Sequence, residues 1–126
     1  LRVRLTYLPA WTARRRHLAA RYRAAFDRAP VAVPPERDPG HVYHLFVVRT
    51  TSREALRAHL DAHGIETLVH YPVPMPSQPA FEGQRPAACP VASMVCGEVL
   101  SLPMHPALTD GDLGEVCAAV SDFQEG

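Results

Sequence analysis

A chain of 126 residues can bury one modest core, and its thirteen basic and thirteen acidic side chains cancel to a net charge of zero at pH 7. That balance leaves no field to attract nucleic acid or an anionic membrane, and no apolar run approaches the roughly 20 residues a membrane span needs. All thirteen basic residues are Arg; there is no Lys anywhere in the chain.

The first residue is Leu1 rather than Met, the start expected of a cut-out or truncated segment. No apolar core follows a basic head, so no secretory signal is expected and the reading is cytoplasmic. Cys89, Cys96 and Cys117 are odd in number and lack CxxC spacing. They are expected as small buried apolar residues in a reducing compartment, with neither a disulfide framework nor a zinc site.

Trp11, Leu18, Tyr22 and Phe26 fall on one stripe at helical spacing, which predicts a helix over residues 11–26. Pro9 precedes it, and Arg14, Arg15, Arg16, Arg21 and Arg23 take much of the remaining surface as a solvated face. Pro30, Pro34, Pro35 and Pro39 break regular structure and make an extended connector. Residues 42–50, rich in Val, Phe and Tyr, predict a strand covered on both sides. Thr51 and Glu54 have capping-box spacing, ahead of a helix to His63 with Leu56, Leu60 and His63 on one face and Gly64 as its stop. Residues 65–71 predict a second strand, with Leu68 and His70 sharing one face.

Pro72, Pro74, Pro76 and Pro79 then stiffen a loop. Pro90 opens a short helix carrying Val91, Val95 and Val99, and residues 100–104 form a short buried strand. Thr109 caps a last helix whose apolar face is Leu113, Val116, Cys117, Val120 and Phe123. The order predicts an α/β fold: a small two-layer sandwich of a short mixed sheet with helices, preceded by a long helix. A helical crossover makes the two longer strands run in parallel, with the late strand between them.

Three segments carry a resemblance. The first is His41-Val42-Tyr43-His44-Leu45-Phe46-Val47-Val48-Arg49. The second runs from Gly64 through His70-Tyr71-Pro72-Val73-Pro74 to Gln78-Pro79-Ala80-Phe81. The third is Leu100-Ser101-Leu102-Pro103-Met104-His105-Pro106, followed by Leu108-Thr109-Asp110. Their order and spacing resemble the C-terminal half of the DegT/DnrJ/StrS sugar aminotransferases, a branch of the fold type I pyridoxal-phosphate enzymes. The Arg-rich stretch over residues 11–22 is similar to that family's interdomain helix. The resemblance implies an interdomain helix over 1–29 and an aminotransferase small domain over 30–126, with the large cofactor-binding domain absent.

For a complete enzyme it implies amino transfer, from glutamate, to a keto sugar carried on a nucleoside diphosphate. Such chemistry serves deoxyamino-sugar synthesis for antibiotics or surface polysaccharides. It also implies a homodimer and pyridoxal phosphate. That cofactor needs a Lys for its Schiff base, an acidic partner for the pyridine nitrogen and a phosphate cradle. In the family all three come from the large domain, so this chain is expected to hold no cofactor covalently and to be inactive alone. What it would supply is one wall of the cleft.

Candidate substrate-binding residues are His70 and Tyr71, at a strand end entering a stiff loop, together with Gln78 and Tyr43. Each has a plainer reading as a packed or solvated side chain. Tyr43 and His44 sit on opposite faces, so only one of them can meet the cleft, and packing is favoured for that pair. His59 and His63 have i, i+4 spacing, but Leu60 stands where a metalloprotease helix carries Glu, and no metal is expected. In many members of the family the loop carries a second His, and in the corresponding stretch Met75-Pro76-Ser77 this chain has Pro76. Two rival readings remain: a stand-alone α/β ligand- or partner-binding module, and an inactive remnant.

Overall fold

The computed structural model describes residues 2–81, 83 and 88–124. The chain opens with a short helix α1 (Arg2–Leu5) and the long α2 (Leu8–Ala25), which runs into a 3-10 turn over Phe26–Arg28. Ala and Arg are good helix formers, and Pro9 lies in the first turn of α2, where no intrahelical N–H is required. The stripe expected from spacing is real: Leu18, Ala19, Tyr22 and Phe26 are buried and Trp11 is half-buried against Tyr7, with ring centroids 5.8 Å apart. α1 was not anticipated.

The Arg face is less solvated than its composition suggested. Arg14 donates to the Leu108 carbonyl at 2.6 Å and to Asp110 at 2.8 Å, and Arg16 donates to the His41 carbonyl at 2.9 Å. Arg14 thereby pins α2 to the start of α5 (Asp110–Asp122), and its guanidinium holds the Asp110 carboxyl below the usual range.

Strand β1 covers only Phe46–Arg49 and pairs antiparallel with β2 (Val99–Leu102) in the register Phe46↔Leu102, Val47↔Ser101, Val48↔Leu100. The strand expected from residue 42 is cut short because Tyr43 sits at φ 48°, a left-handed conformation that no strand contains. Two isolated antiparallel bridges widen the sheet: Ala32 to Arg49 and Leu68 to Ser101. The expected strand over 65–71 is therefore a single bridge. Its position agrees with the sequence reading, since β2 lies between β1 and the Leu68 segment. Both flanks run antiparallel to β2 and so point the same way.

Helix α3 (Arg53–Ala62) buries Leu56 and Leu60, while His63 stands exposed beyond its end. The Thr51–Glu54 capping box does not form: Ser52 occupies the cap position without a side-chain cap bond, and Glu54 pairs with Arg53 and Arg57. Gly64 at φ 72° ends the helix turn as expected. Helix α4 (Pro90–Glu98) buries none of its residues, and Arg53 reaches it by donating to the Cys96 carbonyl at 2.8 Å. Cys89 is exposed and Cys96 and Cys117 half-exposed, so none is the fully buried residue expected. At α5 the cap predicted at Thr109 does form, with Asp112 closing a reciprocal box.

One core joins α2, α3 and α5 to the sheet. At its centre Tyr22, Phe26 and Phe46 lie 4.7–6.4 Å apart, and the fully buried Tyr22 hydroxyl donates to the Pro103 carbonyl at 2.9 Å. Burial, with the neighbouring Cys117, raises the Tyr22 phenol above its ordinary value of 10.0. A raised value in the folded state means stability present below pH 10 that is lost as pH climbs past it. Tyr22→Phe removes both the bond and the proton. It should lower unfolding free energy by roughly 1–2 kcal/mol at neutral pH, measured by denaturant titration, and should flatten the decline in stability above pH 10.

The start of the chain is the least covered part: Val3, Leu5, Tyr7 and Leu8 are about half to three-quarters exposed. Adjacent exposed apolar groups of this kind mark a face that something covers. The isolated chain should therefore self-associate, with a sedimentation coefficient that rises with concentration. A Leu5→Glu, Tyr7→Glu double variant should sediment as a monomer. A monomeric parent chain at all concentrations would remove this expectation.

Candidate functional site

Residues 65–71 carry the site from α3 to the loop. Their exposure alternates: Ile65 and Thr67 point into the core, while Leu68 is exposed and His70 half-buried. The Ile65 N–H donates back to the Leu60 carbonyl at 2.9 Å, fixing the entry. Leu68 and Ser101 exchange both backbone hydrogen bonds, at 2.8 and 3.2 Å. Two residues on, the His70 Nδ1 lies 2.9 Å from the Ser101 hydroxyl oxygen. The His70–Tyr71 peptide is cis, and the two rings meet edge-on at 6.3 Å. Tyr71 is 75% exposed.

The loop beyond is stiff because proline removes freedom and donors. It folds as two 3-10 turns, Met75–Ser77 and Pro79–Phe81, closed by N–H donation from Ser77 to Pro74, from Gln78 to Met75 and from Phe81 to Gln78. Gln78 projects outward from the junction between the turns. Pro76 and Ser77 meet Cys89, Pro90 and Ser93 around a small cavity of about 240 Å³, so the loop rests on the start of α4.

A larger concavity, a groove of about 650 Å³, has His70 in its wall. His44, His70 and His105 line it with Ser101, Met104 and the carboxylates of Glu66, Asp112 and Glu115. Asp112 is held below the ordinary carboxyl range by its Thr109 hydrogen bonds, with a smaller contribution from His105. A lining of imidazoles, carboxylates and apolar walls, with no Arg among its described residues, suits a polyhydroxylated ligand better than a bare anion.

The four candidates separate. His70 lines the groove, and Tyr71 and Gln78 follow it on the exposed loop. Tyr43 does not line the groove. It is buried, its hydroxyl bonds Glu36 and accepts from Arg23 at 3.4 Å, and its ring lies 4.2 Å from that of His41. Burial, then Glu36, pushes its phenol up. The left-handed turn at Tyr43 aims it inward and leaves His44 on the groove side, so the residue weighed against it is the one that meets the cavity. His105 was legible only as part of a motif; its signal was a polar ring directly after a buried strand end. The His59–His63 pair is engaged with the Ala119 and His59 carbonyls, and among the described residues no group of three or more ligating side chains gathers.

Comparison with known proteins agrees with this architecture. The sequence profile of the DegT/DnrJ/EryC1/StrS aminotransferase family matches residues 1–121, and the chain belongs to that family. It is 44% identical, over 99% of its length, to the dTDP-3-amino-3,4,6-trideoxy-alpha-D-glucose transaminase of Streptomyces venezuelae. It is 35% identical, over 98%, to the dTDP-3-amino-3,6-dideoxy-alpha-D-galactopyranose transaminase of Aneurinibacillus thermoaerophilus. Among solved structures, S. venezuelae DesV, in complex with a ketimine intermediate, superposes with a TM-score of 0.92 at 40% identity over 98% of this chain. The chain spans about a third of the length of these relatives: 34% of each transaminase and 35% of DesV.

Pyridoxal phosphate, the cofactor of this aminotransferase family, does not fit the residues present. Its Schiff base needs a primary amine, and every basic side chain here is an Arg, which stays protonated and is a poor nucleophile. The described glycines at positive φ, Gly64 and Gly83, stand alone in turns and form no phosphate loop. After incubation with pyridoxal phosphate and borohydride reduction, peptide mapping should find no adduct on any side chain of these residues. A stoichiometric side-chain adduct would contradict the assignment.

Proposed function

We propose that this chain forms the substrate-facing small domain, with its leading helix over 1–29, of a pyridoxal-phosphate-dependent aminotransferase acting on a nucleotide-linked keto sugar. The missing large domain supplies the cofactor, its Lys and its phosphate cradle. Glutamate is the amino donor, the assembly is a homodimer, and the work is done in the cytoplasm. The observation that carries the reading is the groove beside His70: a rigidly held imidazole at a segment end, with Tyr71 and Gln78 following on a stiff exposed loop. Support comes also from the two relatives named as transaminases of dTDP-linked amino sugars.

In this role the chain binds and orients. His70 hydrogen-bonds an oxygen of the sugar nucleotide, Tyr71 offers a ring face and a hydroxyl, and Gln78 can both donate and accept. The cofactor, when bound by the large domain, supplies the electron sink for amino transfer. No residue here carries out that step. Pro76, in the stretch where the loop of many family members has a second His, takes both an imidazole and a backbone donor from the wall, and so favours a sugar with fewer polar contacts on that side.

In the complete enzyme, His70→Ala should lower kcat/KM for a dTDP-linked keto sugar about tenfold, the equivalent of one lost hydrogen bond of ~1.4 kcal/mol. Bound pyridoxal phosphate, read from its visible absorbance, should be unchanged. Parallel loss of cofactor and turnover would mean that His70 belongs to a different wall.

A further inference from the structure

We propose that Ser101 is the positioning residue for His70: its hydroxyl donates to Nδ1, fixes the Nε2–H form of the ring and so aims an N–H donor at the groove. The hydrogen-bonding partner is then an acceptor oxygen, such as a hydroxyl, carbonyl or phosphoryl oxygen. That last step rests on the cleft-wall reading above; the direction of the Ser101–His70 bond does not.

Three bonds from one residue define the contact. The Ser101 N–H and carbonyl are both engaged by Leu68, and its side-chain oxygen lies 2.9 Å from the His70 Nδ1. Ser101 is 5% exposed, and its hydroxyl has no other partner among the described residues. For a neutral ring, two arrangements of protons satisfy the distance. If Nδ1–H donated to the hydroxyl, the Ser101 proton would be buried with no acceptor. If the hydroxyl donates to Nδ1, the buried hydroxyl proton is used and the remaining N–H, on Nε2 of the half-buried ring, is left to the groove, where water or a ligand can accept it; within the buried pair only an oxygen lone pair goes unfilled, the cheaper loss. The second arrangement therefore holds, and it leaves the proton of a neutral ring on Nε2. A carboxylate second partner would orient the ring the opposite way, with Nδ1–H donating. A serine that is itself only 5% exposed reverses that logic.

The consequence is selective. An imidazole held in the Nε2–H form can donate to an oxygen acceptor but cannot take a proton at that nitrogen. His70 is therefore a recognition group and not a general base.

The test is a long-range proton–nitrogen correlation spectrum of the 126-residue chain labelled with ¹⁵N-histidine, with His70 assigned by its loss in His70→Gln. The parent chain should show His70 almost wholly as Nε2–H. Ser101→Ala should release a clearly measurable Nδ1–H population, and Ser101→Thr, which keeps the hydroxyl and suits a strand, should restore the parent pattern. An Nδ1–H ring in the parent chain would overturn the proposal, as would an identical balance in Ser101→Ala. Should Ser101→Ala fail to fold, the parent and Ser101→Thr spectra still decide.

A second arm uses the complete enzyme. Ser101→Ala should raise KM for the dTDP-linked keto sugar several-fold with kcat and bound cofactor little changed, and it should add nothing in a His70→Ala background. Weaker inhibition by dTDP alone in Ser101→Ala would identify a phosphoryl acceptor, and unchanged inhibition a sugar oxygen. If the ring form shifts as expected but KM does not, Ser101 still positions His70, and it is the cleft-wall reading of His70 that falls.

Discussion

The pairing of Leu68 with Ser101 is the constraint on which the site depends. Among the described residues it is the sole backbone bridge between the sheet and the segment that carries His70. A full strand would distribute that load over four or five pairs. Here one residue of β2 holds the segment by its N–H, its carbonyl and its side chain together. The arrangement is sturdy because Ser101 is not a peripheral residue: it lies in a strand whose four residues are all buried, opposite Val47 in β1. Whatever fixes β2 therefore fixes His70.

What fixes β2 is largely α2. The helix places Leu18, Tyr22 and Phe26 against the sheet, and the Tyr22 hydroxyl closes on Pro103, one residue past the end of β2. Arg14 performs the matching task one loop further on, at the Leu108 carbonyl and Asp110. The chain returning from β2 toward α5 is thus held at both ends by one helix. His105 lies between those anchors, and His44 follows the Tyr43 turn, which α2 also clasps through Arg23. A helix that looks, from its composition, like a charged surface element is the frame around which the groove is drawn. Arg14 and Arg16 are placed by the Leu108 and His41 carbonyls, distant backbone acceptors that periodicity cannot register.

This explains which parts of the fold were legible in sequence. Helices showed themselves through spacing and punctuation: the Leu18–Tyr22–Phe26 stripe, Gly64, Pro90 and Thr109. Strand extents did not. Residues 42–45 have strand composition, yet a left-handed Tyr43 ends the pattern, and nothing in a Val- and Tyr-rich run announces that turn. The alternation over 65–71 is genuine as burial, but burial alternation does not require pairing at every residue. The Thr51–Glu54 box failed by a shift of one residue, with Ser52 taking the cap and Glu54 drawn to Arg53 and Arg57. At the groove, His70 could be singled out from its position at the end of an apolar run, whereas the placing of His44 and His105 in the same lining needed the fold to bring three distant segments together.

The division of chemistry follows from the same residue types. An arginine-only chain can neutralise carboxylates and cap carbonyls, and the described Arg contacts do both. It cannot offer a deprotonated amine at neutral pH, so nucleophilic amine chemistry is closed to its side chains whatever their placement. The polar groups facing the groove are imidazoles, a hydroxyl and carboxylates, which recognise oxygen-rich ligands through directed hydrogen bonds. Recognition is sensitive to small displacements: a donor must lie within about 3.2 Å of its acceptor and point at it. That demand accounts for a wall in which the central imidazole is locked by a buried hydroxyl and the loop beyond it is stiffened by four prolines. The fold spends its rigidity on where His70 points, because pointing is the task these residue types can perform.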